Sequence, residues 1–335
     1  MIIDLPQTTT SAIAKKLVSI REEGGAVALG RVLTLLIVTG DATDEDAIRA
    51  ANEASSEHPM RVIVVETAEA GAEDGLDAQI RVGGDAGASE VIRLRASGAA
   101  GDDPETLVQG LLLPDAPVVT WWTTPGVERP SASPLGRIAQ LRITDATEEE
   151  GEAAIRRLAE GFAAGDSDLA WTRLTAWRAQ LAAVLDQPPF EPIRAARVLG
   201  RPDAATAILM AGWLALALRV PVTLASEDEA TEGHGGGLHA VELERDGGDI
   251  ALRRISETTI ELRQDGLPVQ HVAVALSDLT GVIAEELRSL APDRFLGRVL
   301  REGVPLIRRE RGRVDAEEGA DLDALGIAGG EGAAS

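Results

Sequence analysis

The sequence contains no cysteine. That absence excludes disulfides, thiolate metal sites and thiol-based redox control acting on this chain. Tyrosine is also missing, and aromatic residues make up only 2% of the 335 positions. A core must therefore be filled with Ala, Val, Ile and Leu, which makes the five Trp the largest apolar anchors available. Positive charge is scarce as well: 32 Lys and Arg stand against 55 Asp and Glu, a formal net charge of -23. A surface this acidic repels phosphate backbones and anionic headgroups, so neither nucleic acid nor membrane is an expected partner. The longest apolar run, residues 204–218, is too short to span a bilayer and is closed by Arg219 and Pro221. It reads as a buried helix. Residues 1–7 carry Asp4 and Pro6 and lack the basic-then-apolar pattern of a secretory signal, so the expected location is the cytoplasm.

With 44% hydrophobic and 26% charged residues, the chain can build a sizeable core, and its length favours two domains. Residues 8–23 have helical spacing. Residues 31–39 and 60–66 are continuous apolar runs of the kind that suits strands buried on both faces. The helical stretch 44–57 between them makes a strand–helix–strand unit with parallel strands. Residues 78–82 and 90–96 alternate apolar and polar positions around a Gly-rich turn, which predicts a hairpin at the sheet edge. A helix over 103–112, a buried strand over 116–122, a helix over 135–140, a strand over 141–144 and a helix over 147–163 follow. Residues 1–165 thus read as an open, mostly parallel α/β sheet domain.

The second unit, 166–305, begins with a helix over 169–185, capped by Asp166, Ser167 or Asp168. A strand over 194–199, the 204–218 helix capped by Asp203, and a strand over 220–224 come next. Four short strands between 238 and 276, separated by the turn signals Asp246-Gly247-Gly248 and Asp265-Gly266, predict an antiparallel meander. Helices over 278–289 and 293–301 then close an α+β domain. Residues 306–335, acidic and then rich in Gly and Ala, read as a disordered tail.

Searching for chemistry returns little. The glycines at 83–87 lie between two strands, not at a helix start, and no Gly-Lys-Ser/Thr follows, so they read as a tight turn. His234-Gly235-Gly236-Gly237 has the look of an esterase oxyanion loop, but the sequence has no Gly-x-Ser-x-Gly nucleophile elbow. His234 and His239 could form half of a metal site, but a tight site wants three or four convergent ligands and the only other histidines are His58 and His271. Asp166 and Asp168 sit where a helix cap would place them. No catalytic residues, metal site or cofactor are expected.

Three places remain for a partner-binding role. His58 and Arg61 flank Pro59-Met60, where a helix gives way to a buried strand. Trp121 and Trp122 end an apolar strand, and adjacent strand residues point to opposite faces, so one of them can line a crevice at the strand ends. In the stretch from Asp168 to Arg178, helical spacing puts Trp171, Thr175 and Arg178 on one side, with Arg173 nearby, while Leu174 and Trp177 take the buried stripe. Trp and Arg dominate many protein interfaces.

These stretches carry a resemblance. EHPMRVIVV, LDAQIRVGGDAGASEVIRLR, LLLPDAPVVTWW, PLGRIAQLRITDA, DSDLAWTRLTAWRAQLAAVLD and AEELRSL occur in an order similar to that of the glucose-6-phosphate dehydrogenase assembly protein family, OpcA. The resemblance implies a non-catalytic partner that binds glucose-6-phosphate dehydrogenase, in the oxidative pentose phosphate pathway, and promotes its active state. It brings no catalytic residues. Where other members often carry a cysteine before the second strand, this chain has Met60. The alternative reading is a regulatory protein that binds a sugar phosphate or nucleotide near Trp121 and Trp122. The sequence leaves the oligomeric state open.

Overall fold

The structure, a computed structural model, describes residues 1–23, 31–40, 45–67, 73–83, 90–188, 190–226, 237–274 and 278–310. It is a mixed α/β fold built on two sheets. The first has eight strands in the order β1-β4-β5-β3-β2-β6-β7-β8. Its middle strands, β2 (Leu33–Thr39), β3 (Met60–Thr67) and β6 (Val118–Trp122), are parallel, and their apolar runs reflect cover on both faces. On one face, Leu35, Ile37, Val62, Val64 and Trp121 meet helix α2 (Glu45–Ala54). On the other, Leu36, Ile63 and Val65 meet α1 (Thr10–Glu23), α5 (Pro134–Arg137) and α4 (Pro104–Gln109), which follows the short α3 (Ala99–Asp102) and whose N-terminus is capped by Asp103.

The predicted hairpin forms from β4 (Gly75–Arg81) and β5 (Glu90–Ser97), but it is not at the edge. β5 pairs in parallel with β3, and β4 is covered by β1 (Ile2–Leu5), an antiparallel strand that sequence reading missed. Four residues interrupted by Asp4 give too little alternation to register as a strand. Asp166 and Ser167 do not cap a helix. Together with Asp168 they form β8 (Asp166–Asp168), the last strand of this sheet, parallel to β7 (Leu141–Thr144).

The second sheet runs β14-β13-β12-β11-β9-β10-β15. β11 (Leu238–Glu244), β12 (Ile250–Ser256), β13 (Thr259–Gln264) and β14 (Gln270–Ala273) form the predicted antiparallel meander. β9 (Ala195–Gly200) and β10 (Val222–Ser226) are parallel and flank α9 (Ala205–Leu218). That helix is buried on nearly every side, which explains its unbroken apolar sequence. Asp203 does not cap it: Ala204 holds the N-cap position, and Asp203 pairs with Arg201 at 3.3 Å.

Three further expectations need correction. The helix over 169–185 is broken into α7 (Leu169–Thr172) and α8 (Thr175–Leu185) by a tight turn at Leu174, whose ψ of -4° flattens the backbone. The helix over 278–289 does not close the second unit. As α10 (Leu279–Leu287) it packs on α2, and Val282, Ile283 and Leu287 complete the core of the first sheet. Conversely, α6 (Gly151–Gly161) sends Ala154, Ile155 and Leu158 into the core of the second. An amphipathic pattern says that a helix has an apolar face; it does not say which sheet will receive it. Finally, the segment expected to be disordered from residue 306 continues in regular structure to β15 (Arg308–Arg309), which pairs with β10. Residues 311–335, most of 83–87, and His234 lie outside the described residues. Among those described, no helix is long and apolar enough to cross a membrane.

Candidate functional site

The stretch from Asp168 to Arg178 leaves the edge of the first sheet and enters the helices that back the second, so it lies where the two sheets meet. Asp168, at the end of β8, is wholly buried. It accepts hydrogen bonds from Thr144 Oγ1 at 2.6 Å, from the Ala146 amide at 3.1 Å, and from the Ala170 amide at 2.9 Å, where it caps α7. Burial and the nearby Asp145 carboxylate push its pKa up to about 7, against the pull of these hydrogen bonds.

Trp171 follows one turn later. Its indole Nε1 donates to Asp293 at 2.7 Å, and the Arg178 guanidinium stacks 3.6 Å from its ring centre. Arg178 also donates to Thr175 Oγ1 at 3.2 Å. The turn at Leu174 thus leaves Trp171, Thr175 and Arg178 on one side, as their spacing implied. Facing them, Glu286 of α10 accepts from the Thr172 hydroxyl, and Asp293 caps α11 (Arg294–Arg298) through the amides of Phe295 and Leu296. Together these groups border a cleft of about 280 Å3.

The electrostatics of the cleft follow from its depth. Burial lowers the Arg178 pKa to about 10, partly offset by Asp293, Glu286 and Glu285, so the side chain stays cationic near neutrality. Its Nε has no hydrogen-bond partner. Burial raises the pKa of Glu286, against the hydrogen bonds from Thr172 and Ser167. The cleft therefore combines one desolvated cation stacked on an indole with a carboxylate wall. It can take a polar group that accepts from the guanidinium or donates to the carboxylates.

The other candidate residues divide. His58 is half-buried; its Nε2 lies 3.1 Å from the Ala284 carbonyl oxygen, tying the end of α2 to α10, the helix that carries Glu286. Arg61 lies elsewhere. It is buried, donating to Glu90 at 2.7 Å and to the Leu111 carbonyl at 2.6 Å, a structural ion pair whose desolvation lowers its pKa. Arg173 turns away from the cleft and donates to Asp145 at 3.0 Å. Trp121 and Trp122 point to opposite faces, but both are buried, only 2% and 6% exposed, so neither offers an open anchor. The strand-end crevice expected there fails because Leu169 and α10 cover Trp121. Sequence reading missed Glu286 and Asp293. The pair Glu285-Glu286 stands in AEELRSL, and Asp293 precedes a helix, but nothing local indicates that both face Arg178 across more than 100 residues of chain.

Comparison with known proteins bears on these residues. Residues 51–160 match the model described as glucose-6-phosphate dehydrogenase subunit N-terminal domain, and residues 164–300 match its C-terminal domain. The chain belongs to the OpcA family. In this OpcA chain both walls of the cleft, 168–178 and 285–293, fall in the C-terminal family domain, whereas His58, Arg61, Trp121 and Trp122 fall in the N-terminal one. No curated protein matches the sequence. Among solved structures, an oxidoreductase from Sinorhizobium meliloti is similar at 11% identity, with a TM-score of 0.48 over 82% of this chain and 96% of that one. The myo-inositol dehydrogenase from Lactobacillus casei, solved with NAD(H) and myo-inositol, has 11% identity and a TM-score of 0.39 over 82% and 93%. Likenesses this distant carry no argument about activity.

Proposed function

We propose that this OpcA chain is a non-catalytic assembly factor or activator that binds glucose-6-phosphate dehydrogenase and favours its active state, acting in the cytoplasm on the oxidative pentose phosphate pathway. The observation that carries this reading is the successive match to both domains of a family described as a subunit of that enzyme. An activator works by binding the active form more tightly than the inactive one. A tenfold shift takes about 1.4 kcal/mol of differential affinity. A contact at Arg178, desolvated and held against Trp171, is of that order. The cleft edged by Thr175, Arg178 and Asp293 is the proposed contact region. A metabolite-sensing role rested on a crevice at Trp121 and Trp122; with both buried, no observation favours it.

The test is a rate titration. Adding the chain to its cognate dehydrogenase is expected to change the rate saturably, near stoichiometric amounts, with a complex recoverable by co-purification. Finding neither complex nor kinetic effect rejects the proposal, as does turnover of a substrate by the chain alone.

A further inference from the structure

Arg178 is enclosed yet incompletely bonded. One of its terminal nitrogens donates to Thr175 Oγ1, and its plane lies against Trp171. Its Nε is buried without an acceptor, and among the described residues no carboxylate closes on the guanidinium as an ion pair. Other enclosed arginines are closed in that way: Arg61 by Glu90, Arg142 by Asp166 and Arg157 by Glu149. A desolvated donor left open calls for an explanation, and this one borders a cleft.

The charges around that cleft already offset one another. Glu285 pairs with Arg288 at 2.9 Å, and of the surrounding carboxylates Asp293 stabilises the Arg178 charge most. Burial, with Asp293 and Glu285, holds the Glu286 carboxyl above its ordinary pKa despite the hydroxyls of Thr172 and Ser167. A further carboxylate would meet the same repulsion. A further cation would be desolvated beside Arg178, whose pKa burial already lowers to about 10.

Hydrogen-bonding capacity, by contrast, is left over on both walls. On α8 the guanidinium can still donate. Across from it Asp293 accepts from Trp171, Phe295 and Leu296, and Glu286 from Thr172 and Ser167, fewer than the roughly four bonds a carboxylate can take. An uncharged group that both accepts and donates meets these needs. A hydroxyl carries the two functions on one atom, whereas a carboxamide separates them and can bridge facing walls. The volume of about 280 Å3 lies below the roughly 300–1,000 Å3 of small-molecule pockets, which suits one inserted side chain better than a free metabolite.

We infer that the cleft receives an asparagine or glutamine side chain of the dehydrogenase, its amide oxygen on Arg178 and its amide nitrogen on Glu286 or Asp293. The inference rests on the dehydrogenase reading above.

Binding titrations of the full chain against its cognate dehydrogenase test it. Arg178→Met keeps the length of the side chain and removes its charge and donors. Glu286→Met removes a charge and an acceptor from the other wall. Each is expected to raise Kd about tenfold, with circular dichroism and a thermal melt confirming the fold. Should Glu286→Met melt early, Glu286→Gln, which keeps an acceptor for Thr172, should shift Kd in the same direction by less. A carboxylate occupant would instead bind more tightly to the Glu286 variants and more weakly to Arg178→Met; a lysine or arginine would reverse both signs. Either pattern overturns the inference. Two folded variants that bind like wild type overturn it as well, while leaving the dehydrogenase reading intact. A wild type that binds no dehydrogenase removes both.

Discussion

Replacing Asp168 by Asn separates two effects that the fold combines at one buried carboxylate. The group's folded pKa of about 7 lies well above the unfolded value near 3.8, because burial and Asp145 disfavour its charge. Between these values the folded protein holds a proton that the unfolded chain has released. Stability from this group is therefore complete below about pH 4 and lost as pH rises toward and through 7, at about 1.4 kcal/mol per pH unit, or roughly 4 kcal/mol over the window. Asparagine has no charge to desolvate. Its carbonyl can still accept from the Ala146 and Ala170 amides, and its amide can donate to the Thr144 hydroxyl oxygen. Urea denaturation at pH 5, 6, 7 and 8 is expected to show Asp168→Asn equal to or below wild type at pH 5 and above it at pH 8. The many other carboxylates cancel in the difference. Asp168→Leu removes the acceptors instead and should cost about 2–6 kcal/mol at every pH, as two buried amides lose their partner and the Thr144 hydroxyl keeps only the Ser167 carbonyl. Parallel pH profiles for wild type and Asp168→Asn would refute the reasoning.

The remaining expectations concern packing and contact. Arg178→Ala should weaken dehydrogenase activation at a stability cost of about 1 kcal/mol, whereas Trp171→Ala, with its indole buried and bonded to Asp293, should cost about 3–5 kcal/mol in a thermal or urea melt. Arg61→Met leaves the buried Glu90 carboxylate without its main partner and should cost about 3–5 kcal/mol by the same assay; pairing it with Glu90→Leu should recover much of the loss. Gly165→Ala, at φ +91° with its new Cβ 2.5 Å from the Gln140 carbonyl oxygen, should lose about 2 kcal/mol or more.

What the sequence disclosed follows from where its signals come from. β2, β3 and β6 were legible because strands covered on both faces must be apolar throughout, and α9 because a helix enclosed on all sides must be so too. The grouping of Trp171, Thr175 and Arg178 was legible despite the break at Leu174, because the turn there keeps the helical phase. β1 was not, because its evidence is its pairing with Ile80 and Ala78, some 75 residues away. The burial of both Trp121 and Trp122 was also hidden: adjacent strand residues can both be enclosed only if each face has a cover, and α10, which covers Trp121, comes from much later in the chain. Glu286 and Asp293 were missed for the same reason, since a cleft wall is defined by what it faces.

The exchange of α6 and α10 between the two sheets has a practical consequence for anyone who would cut the gene in half. A fragment ending near residue 165 would carry α6 with no sheet to receive it, and would leave Trp121 and the α2 surface bare where α10 belongs. Its complement would display α10 as an orphan amphipath. Neither piece would be a miniature of its half; each would be sticky, and solubility is expected to return only on mixing the two.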